Sequence, residues 1–291
     1  SLTDRNVHIL DPFAGTGTFI TRLIQSGIIN KKDLAYKYKN EIHANEIVLL
    51  AYYIAGINIE TVYQDIVKEN QYQNFKGLVL TDTFQLYEQE RDMIADLLPD
   101  NSQKRTRQKK LKITAIIGNP PYSVGQRSEN EDAKNIVYLN LDEKIRNTYL
   151  KNSSATLSRN LFDSYIRAIR WASDRIEKNG ILAFITGNGF LNSAFADGMR
   201  KSLTSEFSKI YLIDLKGNVR KSMLNKGDKT EGENVFGSGS MTGISINIFI
   251  KKTISENCEI KYFNLGNNLS KKQKLQKIDQ LNSIENIIDD N

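Results

Sequence analysis

Residues 7–19, VHILDPFAGTGTF, combine a short apolar run, an acid and a glycine-bearing loop that leads into an amphipathic stretch. This order is typical of a strand, a turn and a helix. Gly15 and Gly17 allow the backbone to pass close to a ligand where a Cβ atom would clash. The stretch therefore predicts a strand that ends in a nucleoside-binding loop, and a tight turn without a ligand is the alternative.

The loop does not match the two common phosphate-binding patterns. A dinucleotide fingerprint, GxGxxG, would require glycine where Ile20 stands, and a P-loop would require a Lys-Ser/Thr pair after the glycines. A cofactor without phosphate groups is therefore favoured.

Further apolar runs alternate with segments of helical pattern, which predicts a parallel sheet. The runs cover residues 41–46, 113–117, 181–186 and 209–214. Residues 243–252, GISINIFIKK, follow a glycine- and serine-rich segment without an intervening helix. We therefore expect an antiparallel strand there, at or near an edge of the sheet.

Three segments lack apolar periodicity and are predicted to be loops or partly ordered insertions. They are residues 100–112, 123–158 and 219–233. Residues 270–288 place apolar side chains at helical spacing and predict a terminal helix.

Two carboxylates follow apolar runs. Glu46 comes about thirty residues after the glycine loop, where an acid can accept hydrogen bonds from both hydroxyls of a ribose. Asp82, in the sequence TDTF, can accept a hydrogen bond from an adenine amino group with Phe84 against the ring. Asp65 competes with Asp82 for that role, and a surface or turn carboxylate is the alternative for each.

Asn119-Pro120-Pro121-Tyr122 directly follows the apolar run at residues 113–118. The Asn119 side-chain oxygen and the Pro120 carbonyl can each accept one N–H of a planar amine, which draws the nitrogen lone pair out of the ring plane. Tyr122 offers a ring for stacking. The motif predicts a site for a nucleophilic amine, and a simple proline turn is the alternative.

Composition sets the broad class of the protein. The 291 residues suffice for one large domain or two small ones, and the 40% hydrophobic content is typical of a globular chain. A single cysteine and two histidines favour a cytoplasmic protein without a disulfide or metal, and the sequence predicts no membrane segment. The formal charge of +6 favours a polyanionic partner. We expect the basic residues 104–112 to contact phosphates near the catalytic face, with a solvated segment as the alternative.

The four motifs together resemble those of the S-adenosylmethionine-dependent adenine-N6 DNA methyltransferases whose cofactor loop precedes NPPY. Residues 160–172, 180–190 and 211–218 are similar to segments of the methyltransferase subunits of type I and single-polypeptide (ISP-type) restriction-modification enzymes. The resemblance covers roughly residues 5–252.

The resemblance implies an α/β, Rossmann-like class I methyltransferase fold with a seven-stranded, mostly parallel sheet, one antiparallel strand and helices on both faces. It implies S-adenosylmethionine as cofactor and methyl transfer to adenine N6 in double-stranded DNA, with the target base rotated out of the stack. The implied cofactor-binding residues are Asp11, Pro12, Phe13, Ala14, Gly15, Thr16, Gly17, Thr18, Glu46, Asp82, Thr83 and Phe84. Of these, Asp11, Phe13, Gly15 and Gly17 would line the methionine end of the cofactor. Glu46 would bind the ribose, and Asp82, Thr83 and Phe84 would bind the adenine. The implied catalytic residues are Asn119, Pro120, Pro121 and Tyr122.

We expect residues 1–252 to form the methyltransferase core without the upstream segment that closes the cofactor pocket. Residues 253–291 are expected to form a strand and a helix that lead toward an absent target-recognition domain. The chain is then a fragment of a larger restriction-modification polypeptide or complex, with weak cofactor affinity. Two alternatives stay open: methylation of RNA adenine or protein glutamine, and a catalytically idle fragment that binds nucleic acid or partner subunits.

Overall fold

The computed structural model describes residues 1–68, 71–88, 99–121, 137–154, 159–219, 221, 230–237, 241–253 and 257–287. Its strands are β1 (His8–Asp11), β2 (Ile42–Glu46), β3 (Leu78–Leu80), β4 (Ile113–Gly118), β5 (Ile176–Gly187), β6 (Lys209–Lys216), β7 (Ile244–Lys251) and β8 (Glu259–Asn264). They form one sheet in the order β3-β2-β1-β4-β5-β7-β6-β8. The predicted α/β fold with a mostly parallel sheet is confirmed.

One detail of the predicted sheet is wrong. The sheet has eight strands in the described part of the chain instead of seven. Strand β7 is antiparallel to β6, as predicted, and it lies between β5 and β6, third from one edge of the sheet. Strand β8 occupies the edge because it pairs in parallel with β6, from Lys209 opposite Glu259 to Asp214 opposite Asn264.

Nine α-helices connect the strands within the described residues. They are α1 (Thr18–Gln25), α2 (Lys31–Asn40), α3 (Leu49–Val67), α4 (Pro99–Lys110), α5 (Leu139–Ile145), α6 (Ser164–Arg175), α7 (Gly189–Asn192), α8 (Asp197–Glu206) and α9 (Lys271–Leu281). Helix α9 confirms the predicted terminal helix, although it ends earlier than residue 288.

The predicted loop at residues 100–112 is wrong, because α4 covers most of it. Pro99 stands at the first helical position, where its missing N–H costs no hydrogen bond, and Asp100 lies in the first turn. Three basic residues lie in the last turn, which also suits the helix dipole. The buried residue of this helix is the polar Gln108. The sequence therefore has no periodic apolar residues that would indicate a helix.

The second predicted insertion is also partly helical. Helix α5 and a π-helical turn, Arg146–Leu150, fall inside residues 123–158. Residues 122–136 and 155–158 lie outside the described part of the chain. Most of the third predicted loop, residues 222–229, lies outside it as well.

The chain divides into two compact units. Unit 1 comprises Ser1–Asn119, Tyr138–Leu141 and Trp171–Ile181, and unit 2 comprises Pro120–Val137, Asp142–Arg170 and Leu182–Asn291. The predicted boundary at residue 252 stays a prediction.

In unit 1, the strands β3, β2, β1 and β4 are parallel. All five residues of β2 are buried, and Ile9 and Leu10 are buried consecutively in β1, so both faces of these strands are covered. Ile9 packs with residues of α1, α2 and α3, including Ile20, Tyr38 and Ile59. These three helices therefore form one hydrophobic core with β1 and β2.

A buried ion pair ties the N-terminal segment to α2. Lys37 Nζ donates hydrogen bonds to Glu41 Oε2 at 2.6 Å, to the Val7 carbonyl at 2.6 Å and to the Asp4 carbonyl at 3.0 Å. Glu41 Oε1 accepts a hydrogen bond from the Asn6 backbone N–H at 2.7 Å. All three Lys37 N–H groups and both carboxylate oxygens are thus satisfied, as a buried pair requires.

Unit 2 has its own polar connections between strand ends. Asp214, near the end of β6, accepts hydrogen bonds from Asn188 Nδ2 at 2.9 Å and from Tyr262 Oη at 3.1 Å. Arg170 and Glu206 form a bidentate pair with two contacts of 2.7 Å between α6 and α8. These contacts fix the register of β6 and β8 and the position of α8.

The described residues contain no helix that is both long and apolar enough to cross a bilayer. They also contain no group of three or more His, Cys, Asp or Glu side chains that could hold a metal ion.

Candidate active site

The predicted cofactor residues of unit 1 lie at the carboxyl ends of its parallel strands. Strand β1 pairs in parallel with β2 on one side and with β4 on the other. The strand order therefore reverses beside β1, which is where open α/β sheets bind ligands. Asp11 and Glu46 end β1 and β2, and Asn119 follows β4 at the same edge.

The glycine loop between β1 and α1 requires glycine at two positions for different reasons. Gly15 and Gly17 have φ angles of +54° and +85°, which side chains rarely adopt. A Cβ atom on Gly17 would lie 3.1 Å from Ile59 Cγ1, so this glycine lets α1 approach α3. A Cβ atom on Gly15 would meet no described atom within 4 Å. Gly15 therefore faces open space, which a ligand can enter.

Glu46 holds the glycine loop in place. Its Oε2 accepts a hydrogen bond from the Gly15 N–H at 2.7 Å, and its Oε1 accepts one from the Val48 N–H at 2.7 Å. The Ala14 N–H donates to the Asn45 carbonyl at 2.9 Å. Each carboxylate oxygen of Glu46 has a second lone pair, so the side chain can still accept hydrogen bonds from ligand hydroxyls.

Asp11 is fully buried beside this loop. Its Oδ1 accepts a hydrogen bond from the Phe13 N–H at 3.0 Å, and its Oδ2 has no hydrogen-bond partner among the described residues. Burial and the negative charge of Glu46 raise the pKa of Asp11 to about 7, against the opposing effect of the Phe13 N–H. An unpartnered buried carboxylate oxygen is a position where a donor or a cation binds favourably.

Asp82 lies after β3 and is the centre of a second polar group. Its Oδ1 accepts a hydrogen bond from the Phe84 N–H at 2.9 Å, and its Oδ2 accepts one from Tyr138 Oη at 2.7 Å. The Phe84 ring lies 5.5 Å from the Phe13 ring and 5.2 Å from the Tyr138 ring, between centroids. Asp65, the sequence alternative, is exposed on α3.

The Thr83 hydroxyl points into the protein. It donates a hydrogen bond to the Pro12 carbonyl at 2.5 Å and accepts one from Asn45 Nδ2 at 3.2 Å. It therefore joins the turn after β3 to the glycine loop, and its predicted contact with adenine stays a prediction.

The remaining predicted loop residues differ in exposure. Pro12 and Ala14 are buried, whereas Thr16 and Thr18 are exposed. The Thr16 carbonyl accepts a hydrogen bond from Asn58 Nδ2 at 2.9 Å, which links the loop to α3.

Asn119 carries an unsatisfied acceptor. Its side-chain Oδ1 is buried and has no hydrogen-bond partner among the described residues. Pro120 is buried and Pro121 is exposed. Tyr122 lies outside the described residues, so its stacking role stays a prediction.

Comparison with known proteins identifies the family. The model of the Eco57I restriction-modification methylase family matches residues 25–220. The chain belongs to this family. No curated protein matches the chain.

Several solved structures that are similar to this chain are restriction-modification enzymes. The chain is similar to a nuclease-deletion mutant of the type ISP enzyme LlaGI in complex with a DNA substrate mimic, with 43% identity and a TM-score of 0.91 over 99% of this chain and 24% of that one. It is similar to the ATP-dependent type ISP enzyme LlaBIII bound to DNA, with 45% identity and a TM-score of 0.89 over 98% of this chain and 20% of that one.

A third structure, the DrdV–DNA complex, is 36% identical with a TM-score of 0.84 and covers 95% of this chain and 26% of that one. The chain thus spans about a quarter or less of the length of the LlaGI and LlaBIII chains. The predicted resemblance to ISP-type restriction-modification enzymes is confirmed. The EcoKI M protein, 10% identical with a TM-score of 0.53, shares the fold.

Tyr138 is a residue of the polar group around Asp82 that the sequence did not predict. It lies in the segment predicted as an insertion, and its buried side chain reaches Asp82 across more than fifty residues of sequence. The sequence feature that could have indicated Tyr138 is an aromatic residue at the end of a polar stretch, next to the apolar start of α5.

If Asp82 holds the adenine of the cofactor as the sequence predicts, Tyr138→Phe should weaken S-adenosylmethionine binding about fivefold, because Asp82 loses a hydrogen bond that orients its carboxylate. The ring against Phe84 is retained, so kcat should change less than about twofold. Calorimetry and initial rates measure both. Tyr87→Phe removes a comparable hydroxyl that donates to Asp174 at 2.6 Å, and it should leave the affinity unchanged. Equal effects of the two substitutions would contradict the assignment.

Proposed function

We propose that this chain transfers a methyl group from S-adenosylmethionine to adenine N6 in DNA, as the modification module of a bacterial restriction-modification enzyme that acts in the cytoplasm. The observation that carries the proposal is Asn119 Oδ1, a buried acceptor without a partner among the described residues, at the carboxyl end of β4. A buried acceptor in this state favours a ligand with an N–H group.

The described residues fit the cofactor. Gly15 faces open space, Asp11 offers an unpartnered buried oxygen to the cationic methionine end, and Glu46 can accept hydrogen bonds from ribose hydroxyls. Asp82 and Phe84 would hold the adenine through a carboxylate and a ring. When bound, S-adenosylmethionine supplies a methyl group that its sulfonium already activates for transfer.

The protein's share of the chemistry is positioning and polarisation of the amine. Asn119 Oδ1 accepts one N–H of the adenine amino group, and the Pro120 carbonyl accepts the other. Two acceptors that each hold one N–H would draw the nitrogen lone pair out of conjugation with the ring and make it nucleophilic. The nitrogen loses its proton readily once it is alkylated, so a strong general base is unnecessary.

DNA is the favoured substrate because two of the similar enzymes are described as complexes with DNA. The amino group lies within the stacked duplex, so the adenine must rotate out at a cost of a few kcal/mol, which stacking on Tyr122 would offset. The other domains of the longer restriction-modification enzymes are the proposed partners of this chain.

The test is transfer of tritium from labelled S-adenosylmethionine by the full-length protein. Unmethylated duplex DNA, RNA and a glutamine-containing protein extract are offered in parallel, and the product is digested with DNase and analysed by chromatography. We expect label in DNase-sensitive material as N6-methyladenine. Label that resists DNase, or that is found in cytosine, would overturn the proposed substrate.

The raised pKa of Asp11 predicts a pH dependence of cofactor binding. Below about pH 7 the folded protein holds Asp11 protonated, whereas a cationic methionine end favours the carboxylate, so binding must release a proton. Affinity should therefore increase as pH rises from 5.5 to 7, by up to about tenfold per pH unit, and then level off. Calorimetry in buffers of different ionisation enthalpy measures the proton release. Asp11→Asn should abolish this dependence, and an unchanged slope in that variant would contradict the assignment.

A further inference from the structure

A cavity of unit 1 lies at the amino ends of its strands, away from the candidate active site. Its volume is about 110 Å³. Its lining includes Asn40, His43, Gly77, Lys104, Arg107 and Gln108. Asn40 and Gly77 precede β2 and β3, whereas Asp11, Glu46 and Asn119 lie at the carboxyl ends. The two sites are thus at opposite edges of the sheet.

Helix α4 brings its basic residues to this edge. The Asn101 side chain exchanges two 2.8 Å hydrogen bonds with the backbone of Leu80, at the carboxyl end of β3. The helix then runs toward the amino ends, where Lys104 and Arg107 line the cavity beside Gly77. The expectation that the basic residues 104–112 lie near the catalytic face is therefore wrong for these two.

The cavity is strongly cationic. Lys39, Lys76, Lys104 and Arg107 line it, and no carboxylate of the described residues does. None of these four side chains forms an ion pair with a described residue. Four like charges around one small cavity repel one another, and a bound anion relieves that repulsion.

Gln108 supplies an independent indication of a ligand. Its side chain is 3% exposed, and its Nε2 donor is buried without a hydrogen-bond partner among the described residues. Its backbone carbonyl accepts a hydrogen bond from Arg175 at 2.8 Å, which fixes this turn of α4. A buried amide donor without an acceptor is unfavourable. Gln108 lines this cavity and a neighbouring one beside Asp174 and Arg175, so its amide favours an acceptor in one of the two.

His43 shows that the positive field extends into the sheet. Its Nε2 lies 3.0 Å from His8 Nδ1, and the two rings are stacked with centroids 5.3 Å apart. Burial, the largest cause, and the charges of His8, Arg107, Arg175 and Lys37 together lower the pKa of His43 to about 3. The cavity is therefore lined by a neutral imidazole beside its cations.

We propose that this cavity binds a phosphate group, with Lys104 and Arg107 as its principal cations and Gln108 as its neutral donor. The cavity volume of about 110 Å³ is sufficient for a tetrahedral oxyanion. The phosphate group can belong to free inorganic phosphate or to a nucleic-acid backbone, and the two sources give different results in the tests below. The site is independent of the proposed methyl transfer.

Inorganic phosphate is the first probe, with thermal unfolding of the full-length protein as the measurement and sodium chloride at matched ionic strength as the reference. We expect phosphate at saturation to raise Tm by about 3 °C. The double variant K104Q/R107Q should lose this rise, with affinity at least about tenfold weaker by calorimetry. The control K110Q/K112Q removes the same charge from residues that do not line the cavity, and it should retain the rise.

Three results would overturn the proposal: no phosphate effect beyond that of chloride, equal losses in the two double variants, or an equal rise with sodium acetate. Gln108→Leu gives a further test, because a purely structural amide and a ligand-binding amide behave differently. We expect its Tm without phosphate to be no lower than that of the parent and its phosphate-dependent rise to be at least halved. A lower Tm with an unchanged phosphate effect would contradict the role of Gln108.

Duplex DNA of unrelated sequence distinguishes the two sources. If the backbone of DNA supplies the phosphate, K104Q/R107Q should reduce the slope of log affinity against log salt by about two, whereas K110Q/K112Q should not. If free phosphate is the ligand, the slope of log affinity against log salt should be the same in both variants, and added phosphate should not displace DNA. Either result, together with the loss of the phosphate-dependent Tm rise, supports the site and identifies its source.

Discussion

Asn119→Ala is expected to reduce methyl transfer to adenine about 10²–10³-fold, while binding of S-adenosylmethionine changes less than about twofold. The Asn119 Oδ1 is buried and unpartnered among the described residues. The cost of removing this acceptor from water is offset only when an N–H group donates to it. Alanine removes that acceptor from the amine but leaves Asp11, Glu46 and Asp82 in place. The effect should therefore fall on kcat and kcat/KM together, as for an interaction that strengthens in the transition state.

The measurement is the initial rate of tritium transfer to unmethylated duplex DNA by the full-length protein. Asn119→Asp retains an acceptor oxygen at the same position, and it should recover part of the lost rate. Asn30→Ala is the matched control, because Asn30 is exposed and its side chain does not cap α2. A rate for Asn119→Ala within about threefold of the parent enzyme would exclude the proposed role of this side chain.

The residues at the carboxyl edge could be predicted because each belongs to a short local pattern. Asp11, Glu46 and Asn119 follow apolar runs, and parallel strands bring such ends to one edge. The geometry of the individual side chains could not be predicted. Glu46 accepts a hydrogen bond from the Gly15 N–H, and the Thr83 hydroxyl donates one to the Pro12 carbonyl. Both contacts join segments that are far apart in the sequence, so no local pattern contains them.

The elements that sequence reasoning missed lack the signals it relies on. Helix α4 buries only Gln108, so its sequence shows no apolar period although its residues favour helix formation. Tyr138 acts through a hydrogen bond to Asp82, a contact that no local pattern contains. The order of β7, β6 and β8 in the sheet could not be predicted, because the pairing of these strands is set by contacts between distant segments.

The buried pair of Lys37 and Glu41 leads to the largest expected change in stability. Lys37→Met should lower the free energy of unfolding of unit 1 by ~3–5 kcal/mol, because Glu41 would stay buried as a carboxylate with Asn6 as its remaining donor. The Asp4 and Val7 carbonyls would also lose their donor. Both side chains are at most 2% exposed, so water cannot replace the missing ammonium group.

Urea unfolding followed by tryptophan fluorescence measures the free energy of unfolding of unit 1. Trp171 is the single tryptophan of the chain, it is 2% exposed, and it belongs to unit 1 together with Lys37. Lys32→Met is the matched control, because Lys32 is an exposed residue of α2, and it should cost less than about 0.5 kcal/mol.

The double variant K37M/E41M separates the cost of an uncompensated charge from the loss of packing. With both charges removed, the buried carboxylate no longer exists, and only the unsatisfied carbonyls and the Asn6 N–H remain. We therefore expect it to recover roughly half of the loss caused by Lys37→Met. If Lys37→Met costs no more than Lys32→Met, the pair contributes nothing measurable and the N-terminal segment is held by its backbone contacts instead.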